Sequence, residues 1–119
     1  MTEILKALSD ESRLRIMNML LKEELCVCEL EYLLKIPQTN VSRHLSVLKH
    51  SGIVEQHKTA QWVHHSISET FLKENADLVG YLQRQMSAMK PCVEDTASYM
   101  RYKESGVSRE QVRKLMQNE

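Results

Sequence analysis

The run Gln38-Thr39-Asn40-Val41-Ser42-Arg43-His44-Leu45-Ser46-Val47-Leu48-Lys49-His50-Ser51-Gly52 carries the clearest helical signal in the chain. Val41, Leu45 and Leu48 recur at i, i+4 and i+7, the spacing of one buried helix face. Gly52 stands where a helix ends in a left-handed residue. Upstream, Val27, Leu30, Leu33 and Leu34 form a second apolar stripe, which stops before Pro37 because the residue preceding proline disfavours the α region. Two helices joined by a tight connection over Ile36 to Thr39 predict a helix-turn-helix.

The period changes downstream. Residues 53–58 and 61–67 read as two β-rich arms about a polar tip at Thr59-Ala60, which predicts a hairpin, a wing behind the helix-turn-helix. Upstream, Ser9 is the expected cap of a helix with an inward stripe of Leu14, Met17, Leu20 and Leu21. From Ser68 the helical period returns in Leu72, Val79, Leu82, Met86 and Met89, spaced like a coiled-coil seam. A helix of about 22 residues on so small a domain has too little chain of its own to cover that stripe. The spacing therefore predicts a homodimer through terminal helices, with packing inside one chain as the alternative. Ser108-Arg109-Glu110-Gln111 offers a capping box ahead of Val112, Leu115 and Met116. The expected fold class is mainly α with a small β-hairpin. Residues 1–89 form the winged helix-turn-helix and dimerisation domain, and residues 90–119 a C-terminal extension with a short helix.

Composition narrows the function. The chain has 119 residues, with 16 basic and 16 acidic side chains, which excludes a grossly basic nucleic-acid coat and an acidic disordered tail. Only three glycines and two prolines occur, as a mostly helical chain would have. Charges in the first 15 residues break any signal-peptide core, and no apolar run approaches a membrane span. A cytoplasmic protein without a membrane partner is expected. Between residues 35 and 66, Lys35, Arg43, Lys49 and Lys58 face Glu55 alone, and all five histidines lie there too. An anionic partner is expected to meet this third of the chain.

Double-stranded operator DNA fits that expectation. Gln38, Thr39, Asn40, Ser42, Arg43 and Ser46 fall on the outward side of the predicted helix, mostly in its first two turns, where a recognition helix meets base edges. Arginine suits guanine, glutamine and asparagine suit adenine, and hydroxyls suit phosphates. Lys58 and Gln61 at the wing tip are placed for backbone or minor groove. His44 either touches DNA, packs inward or faces solvent. A solvated helix face is the plainer reading of the helix alone; the wing and the local positive balance favour DNA.

Three cysteines, two of them a residue apart, suit thiols in a reducing compartment better than a disulfide framework. In Glu24-Leu25-Cys26-Val27-Cys28-Glu29-Leu30 the sulfurs would point about 200° apart on an ideal helix, but to one side of an extended segment. A soft ion needing both has to distort the first helical turn, a switch built from geometry. The plainer alternative is a pair of small buried hydrophobes.

Together, Ala7-Leu8-Ser9-Asp10-Glu11-Ser12-Arg13-Leu14-Arg15-Ile16, the Glu24–Leu30 string, Val41-Ser42-Arg43-His44-Leu45 and Trp62-Val63-His64-His65 resemble the ArsR/SmtB family of winged helix-turn-helix repressors, the arsenical-responsive branch in particular, from Leu5 to about Met89. The resemblance implies a dimeric repressor that leaves its operator when As(III) or Sb(III) binds cysteine thiolates. The family's third cysteine position holds Glu31 here, a poor donor to As(III). A three-sulfur site therefore borrows Cys92 or goes without, Cys92 then being an unliganded thiol. Family members that sense zinc, cobalt or nickel use aspartate and histidine on the terminal helix; residues 68–89 hold Asp77 but no histidine. His64 and His65 are expected on opposite strand faces, in wing structure or at a phosphate, and Trp62 as an anchor between wing and core. The expected inducer site is Cys26, Cys28 and Cys92. The rivals are a redox regulator with a disulfide from Cys92 to Cys26 or Cys28, a sensor of soft metals (Cd, Pb, Zn), a protein-interaction module and a thiol enzyme. The last is disfavoured because no base or glycine-rich anion loop accompanies the cysteines.

Overall fold

In the computed structural model, which describes residues 1–117, the chain opens with a helix that periodicity did not predict, α1 (Thr2–Leu8). Ser9 ends that helix instead of capping the next, its hydroxyl donating to the Lys6 carbonyl over 2.7 Å. Asp10 is the cap of α2 (Glu11–Leu20), accepting from the Arg13 amide at 3.0 Å. Strand β1 (Leu25–Cys26) runs straight into α3 (Val27–Leu34). Lys35 closes α3 in a left-handed conformation at φ 57°, and α4 (Gln38–His50) follows Pro37. Val41, Leu45 and Leu48 are fully buried against α3 and α2, as their spacing predicts.

The α4 terminus is a Schellman motif. Gly52 sits at φ 81°, its amide donates to the Lys49 carbonyl, and the Ile53 amide donates back to the Leu48 carbonyl, each at 3.0 Å. The chain passes without slack into β2 (Val54–Thr59) and β3 (Trp62–Ile67). The hairpin tip is Ala60-Gln61, one residue later than predicted, with Ala60 at φ 55°. The Ser68 amide donates to the Ile53 carbonyl at 2.9 Å and closes the hairpin base. β1 adds a third antiparallel strand in the order β1-β3-β2, with Cys26 opposite His64 and His64 opposite His57.

The predicted helix over residues 68–89 is broken into α5 (Glu69–Glu74) and α6 (Ala76–Met86), and a further long helix, α7 (Lys90–Ser105), follows where only a short one was expected. Asn75 makes the first break at φ −128°, its side chain donating to the Phe71 carbonyl; Pro91 opens α7. The seam residues Val79 and Met86 are buried within this one chain, while Leu72, Leu82 and Met89 are half-buried. Residues 90–117 are more than an appendage. Tyr102 of α7 and Val112 of α8 (Arg109–Gln117) join the same hydrophobic core as the winged domain. Asp95 is buried on α7 because Arg15 of α2 grips both its oxygens, at 2.7 and 2.9 Å. The expected capping box forms: the Gln111 amide donates to Ser108 Oγ and the Ser108 amide to Gln111 Oε1. Among the described residues no helix is long and apolar enough to cross a membrane.

Candidate nucleic-acid interface and thiol site

On α4, Gln38, Thr39, Arg43 and Ser46 are exposed, and Asn40 and Ser42 half-exposed. Pro37 supplies no side-chain cap, and with the Asn40 and Val41 amides bonded to its carbonyl, the Gln38 and Thr39 amides at the start of α4 have no partner within the helix. Lys58 and Gln61 are exposed on the wing. His44 departs from the expected set of DNA-contacting residues. It is buried, with Nδ1 3.2 Å from Arg13 Nη1, because its place one turn before Leu48 turns it to α2. Burial also lowers its pKa, which disfavours the charged imidazole. His64 and His65 are buried as well, which removes both from phosphate contact.

Cys26 and Cys28 straddle the start of α3. Cys26 is the N-cap, extended at φ −88° and ψ 162°, and Cys28 lies in the first turn. Cys26 stands where serine or threonine forms a capping box: its amide donates to Glu29 Oε1 at 3.0 Å, and its sulfur faces the Glu29 amide. Both cysteines line one open groove of about 500 Å³, walled by Trp62 of the wing, Arg113 and Met116 of α8, and Gln38, the first residue of α4. Burial pushes the Cys26 thiol up to about 11, with the Glu29 carboxylate adding to the rise; Cys28 is raised for the same reasons. Two sulfurs and the Glu31 carboxylate line the one groove, a donor set whose thiols suit a soft ion.

Cys92 is not with them. It is buried on α7 at a separate groove lined by Asn18, Leu21, Gln83 and Ser87. The expected Cys26–Cys28–Cys92 triad is therefore not assembled within the chain, because α7 packs along α2 and carries residue 92 to that side.

The C-terminal helices supply what the sequence reading missed. The buried Glu29 carboxylate accepts from the Cys26 amide, from Tyr102 Oη at 2.6 Å and from Arg109 Nε at 3.0 Å. Arg109 and Arg113 lie 5.6 and 5.2 Å from the centre of the Trp62 ring, so the expected wing anchor is clamped by α8. The available signal was the three-residue spacing from Cys26 to Glu29, a capping box disguised by cysteine.

Residues 10–56 match the model for the bacterial regulatory protein, arsR family. The chain is 40% identical over 82 residues to the transcriptional activator HlyU of Vibrio cholerae, covering 69% of this chain and 76% of that one. The solved HlyU structure superposes with a TM-score of 0.59 over 68% of this chain and 88% of that one. The arsenical resistance operon repressor of Escherichia coli is 44% identical over 68 residues, 56% of this chain and 57% of its own. The arsenic resistance regulator ArsR1 of Pseudomonas putida is 38% identical over 65 residues, 54% of this chain. The match spans about half of ArsR1, 51% of its length.

Proposed function

The chain belongs to the ArsR family of winged-helix DNA-binding transcriptional regulators, which are not enzymes, and from that premise we propose that it is a cytoplasmic, homodimeric repressor released from operator DNA when As(III) or Sb(III) engages Cys26 and Cys28. One observation carries the reading: the N-cap and first turn of α3 bear the thiol pair in the groove that reaches Gln38 of α4. Sulfur coordination through both residues takes Cys26 out of its capping role and draws Cys28 toward an extended geometry. The first turn of α3 then loses its cap, and α4, packed on α3, loses the support that presents it to the major groove. Gln38, Thr39, Asn40, Ser42 and Arg43 read or position DNA, with Lys58 and Gln61 on the wing. Dimerisation is supported by the half-covered Leu72, Leu82 and Met89.

The test is release of DNA selected by the wild-type protein from a random pool. Cys26→Ser and Cys28→Ser are expected to bind that DNA as wild type does and to stay bound in arsenite. Release of either variant at wild-type arsenite concentrations overturns the reading. The same titration with cadmium separates the soft-metal alternative, which uses the same thiols. The redox alternative has less support, since Cys92 faces a different groove.

A further inference from the structure

A second ligand set lies on the three-stranded sheet at the root of the wing. Direct cross-strand neighbours share a face, so Cys26 on β1, His64 on β3 and His57 on β2 form one row. Glu24, two residues before Cys26, closes the row. Its carboxylate lies 3.3 Å from His57 Nε2 through one oxygen and 3.9 Å from His64 Nδ1 through the other. His64 Nδ1 is 3.8 Å from Cys26 Sγ. One donor atom each from Glu24, His57 and His64 falls within 4.8 Å of the other two, and the two imidazoles stack with centres 5.1 Å apart.

We propose that Glu24, Cys26, His57 and His64 form a site for a borderline divalent cation of the Zn(II) or Co(II) type, distinct in chemistry from the thiol pair. Donors held about 2.0–2.3 Å from a tetrahedral ion stand about 3.3–3.8 Å from one another. Glu24–His57 at 3.3 Å and Cys26–His64 at 3.8 Å match that spacing. Glu24, His57 and His64 as a set lie within 4.8 Å and Cys26 reaches it at His64, so binding draws the four donors closer together. Two imidazoles, one carboxylate and one thiolate suit a borderline ion, whereas only one of the four donors suits As(III). Access fits as well. His57 and Glu24 are exposed and open the site to solvent, while His64 and Cys26 are buried and form its floor. On binding, the Cys26 proton leaves to solvent and the sulfur becomes a ligand. Because Cys26 belongs to both sets, this ion and the thiophilic inducer compete for one sulfur. The site stands on the sheet register alone and does not require the arsenical reading.

The experiment is a titration of the reduced full-length protein with Co(II), read by ligand-field absorption and the sulfur-to-cobalt charge-transfer band. Wild type is expected to bind one ion with a tetrahedral spectrum carrying the thiolate band. His57→Gln and Glu24→Gln, surface changes that leave the core intact, are expected to weaken binding about 100-fold or more. Cys28→Ser is expected to keep the wild-type spectrum. An octahedral spectrum without the thiolate band, full affinity in His57→Gln, or equal loss in Cys28→Ser overturns the site; the last result places the ion on the thiol pair, and the first two reduce the cluster to a histidine–carboxylate ion pair. Arsenite release in His57→Gln keeps the two ideas apart: it is expected to match wild type whatever happens to cobalt.

Discussion

The Tyr102 hydroxyl donates to Glu29 Oε2 over 2.6 Å, a buried bond that joins α7 to the cap of α3, 73 residues away in sequence. Burial and the Glu29 carboxylate together drive the Tyr102 hydroxyl well above the usual phenol range, so it remains a donor at all working pH values. Tyr102→Phe removes the donor and leaves the ring. A hydrogen bond to a buried carboxylate is worth about 2 kcal/mol, so the denaturant midpoint should fall accordingly at unchanged slope. An unaltered midpoint removes this bond from the support of the thiol helix.

Arg43 is exposed on the outward face of α4. If it makes a base contact, Arg43→Ala weakens binding to the selected DNA by about 1–3 kcal/mol, roughly a factor of 5 to 150 in Kd. Lys58→Ala at the wing is expected to act differently, weakening all sequences alike and lowering the salt slope by about one. Fluorescence anisotropy across a salt series distinguishes the two. Equal affinity for Arg43→Ala and wild type removes Arg43 from the interface.

Cys92 occupies a groove of its own, buried between α7, α2 and α6. Cys92→Ser is therefore expected to release DNA at the wild-type arsenite concentration, in contrast to the changes at Cys26 and Cys28. Loss of the response in this variant would mean that the sulfur reaches the thiol pair of another subunit.

Acid should destabilise the fold through His65. Burial, with Lys49 adding to it, pushes this imidazole down from 6.5 to about 4. Above pH 6.5 the ring is neutral folded or unfolded and contributes nothing to the pH dependence. Between 6.5 and 4 the unfolded chain binds a proton that the folded chain refuses, so stability falls with pH, by up to about 1.4 kcal/mol per unit. His44, also lowered by burial, acts in the same direction. His65→Leu fills the space without a titrating group; the bond it loses to the Leu25 backbone costs stability at neutral pH as well, so the slope with pH is the readout. Its stability from pH 7 to pH 5 should decline less than that of wild type in chemical denaturation. Parallel profiles would acquit His65.

The helix-turn-helix and wing were legible because aliphatic residues mark them: Val41, Leu45, Leu48 and Gly52 signal their positions through hydropathy and one left-handed turn. α7 hid from the same reasoning. Its inward positions, 92, 95, 99 and 102, step by 3, 4 and 3 but hold Cys, Asp, Tyr and Tyr, and Asp95 is buried only because Arg15 neutralises it. The seam from Leu72 to Met89 had a continuous helical period, yet Asn75 broke it, α6 stopped at Met86, and Val79 and Met86 turned inward. Of the candidate site, the thiol pair and the outward face of α4 could be read locally. Glu29 acquires its partners from α7 and α8, and the row of Cys26, His64 and His57 exists only through strand register; neither is a property of any single segment.

The seam between α4 and the wing has an outcome for how promoter occupancy ends. Ile53 is bonded at its amide to Leu48 and at its carbonyl to Ser68, so reading head and outrigger are riveted at one residue. Under the proposed DNA contacts, a tilt of α4 therefore carries the wing root with it, and Arg43 and Lys58 are expected to leave the duplex together.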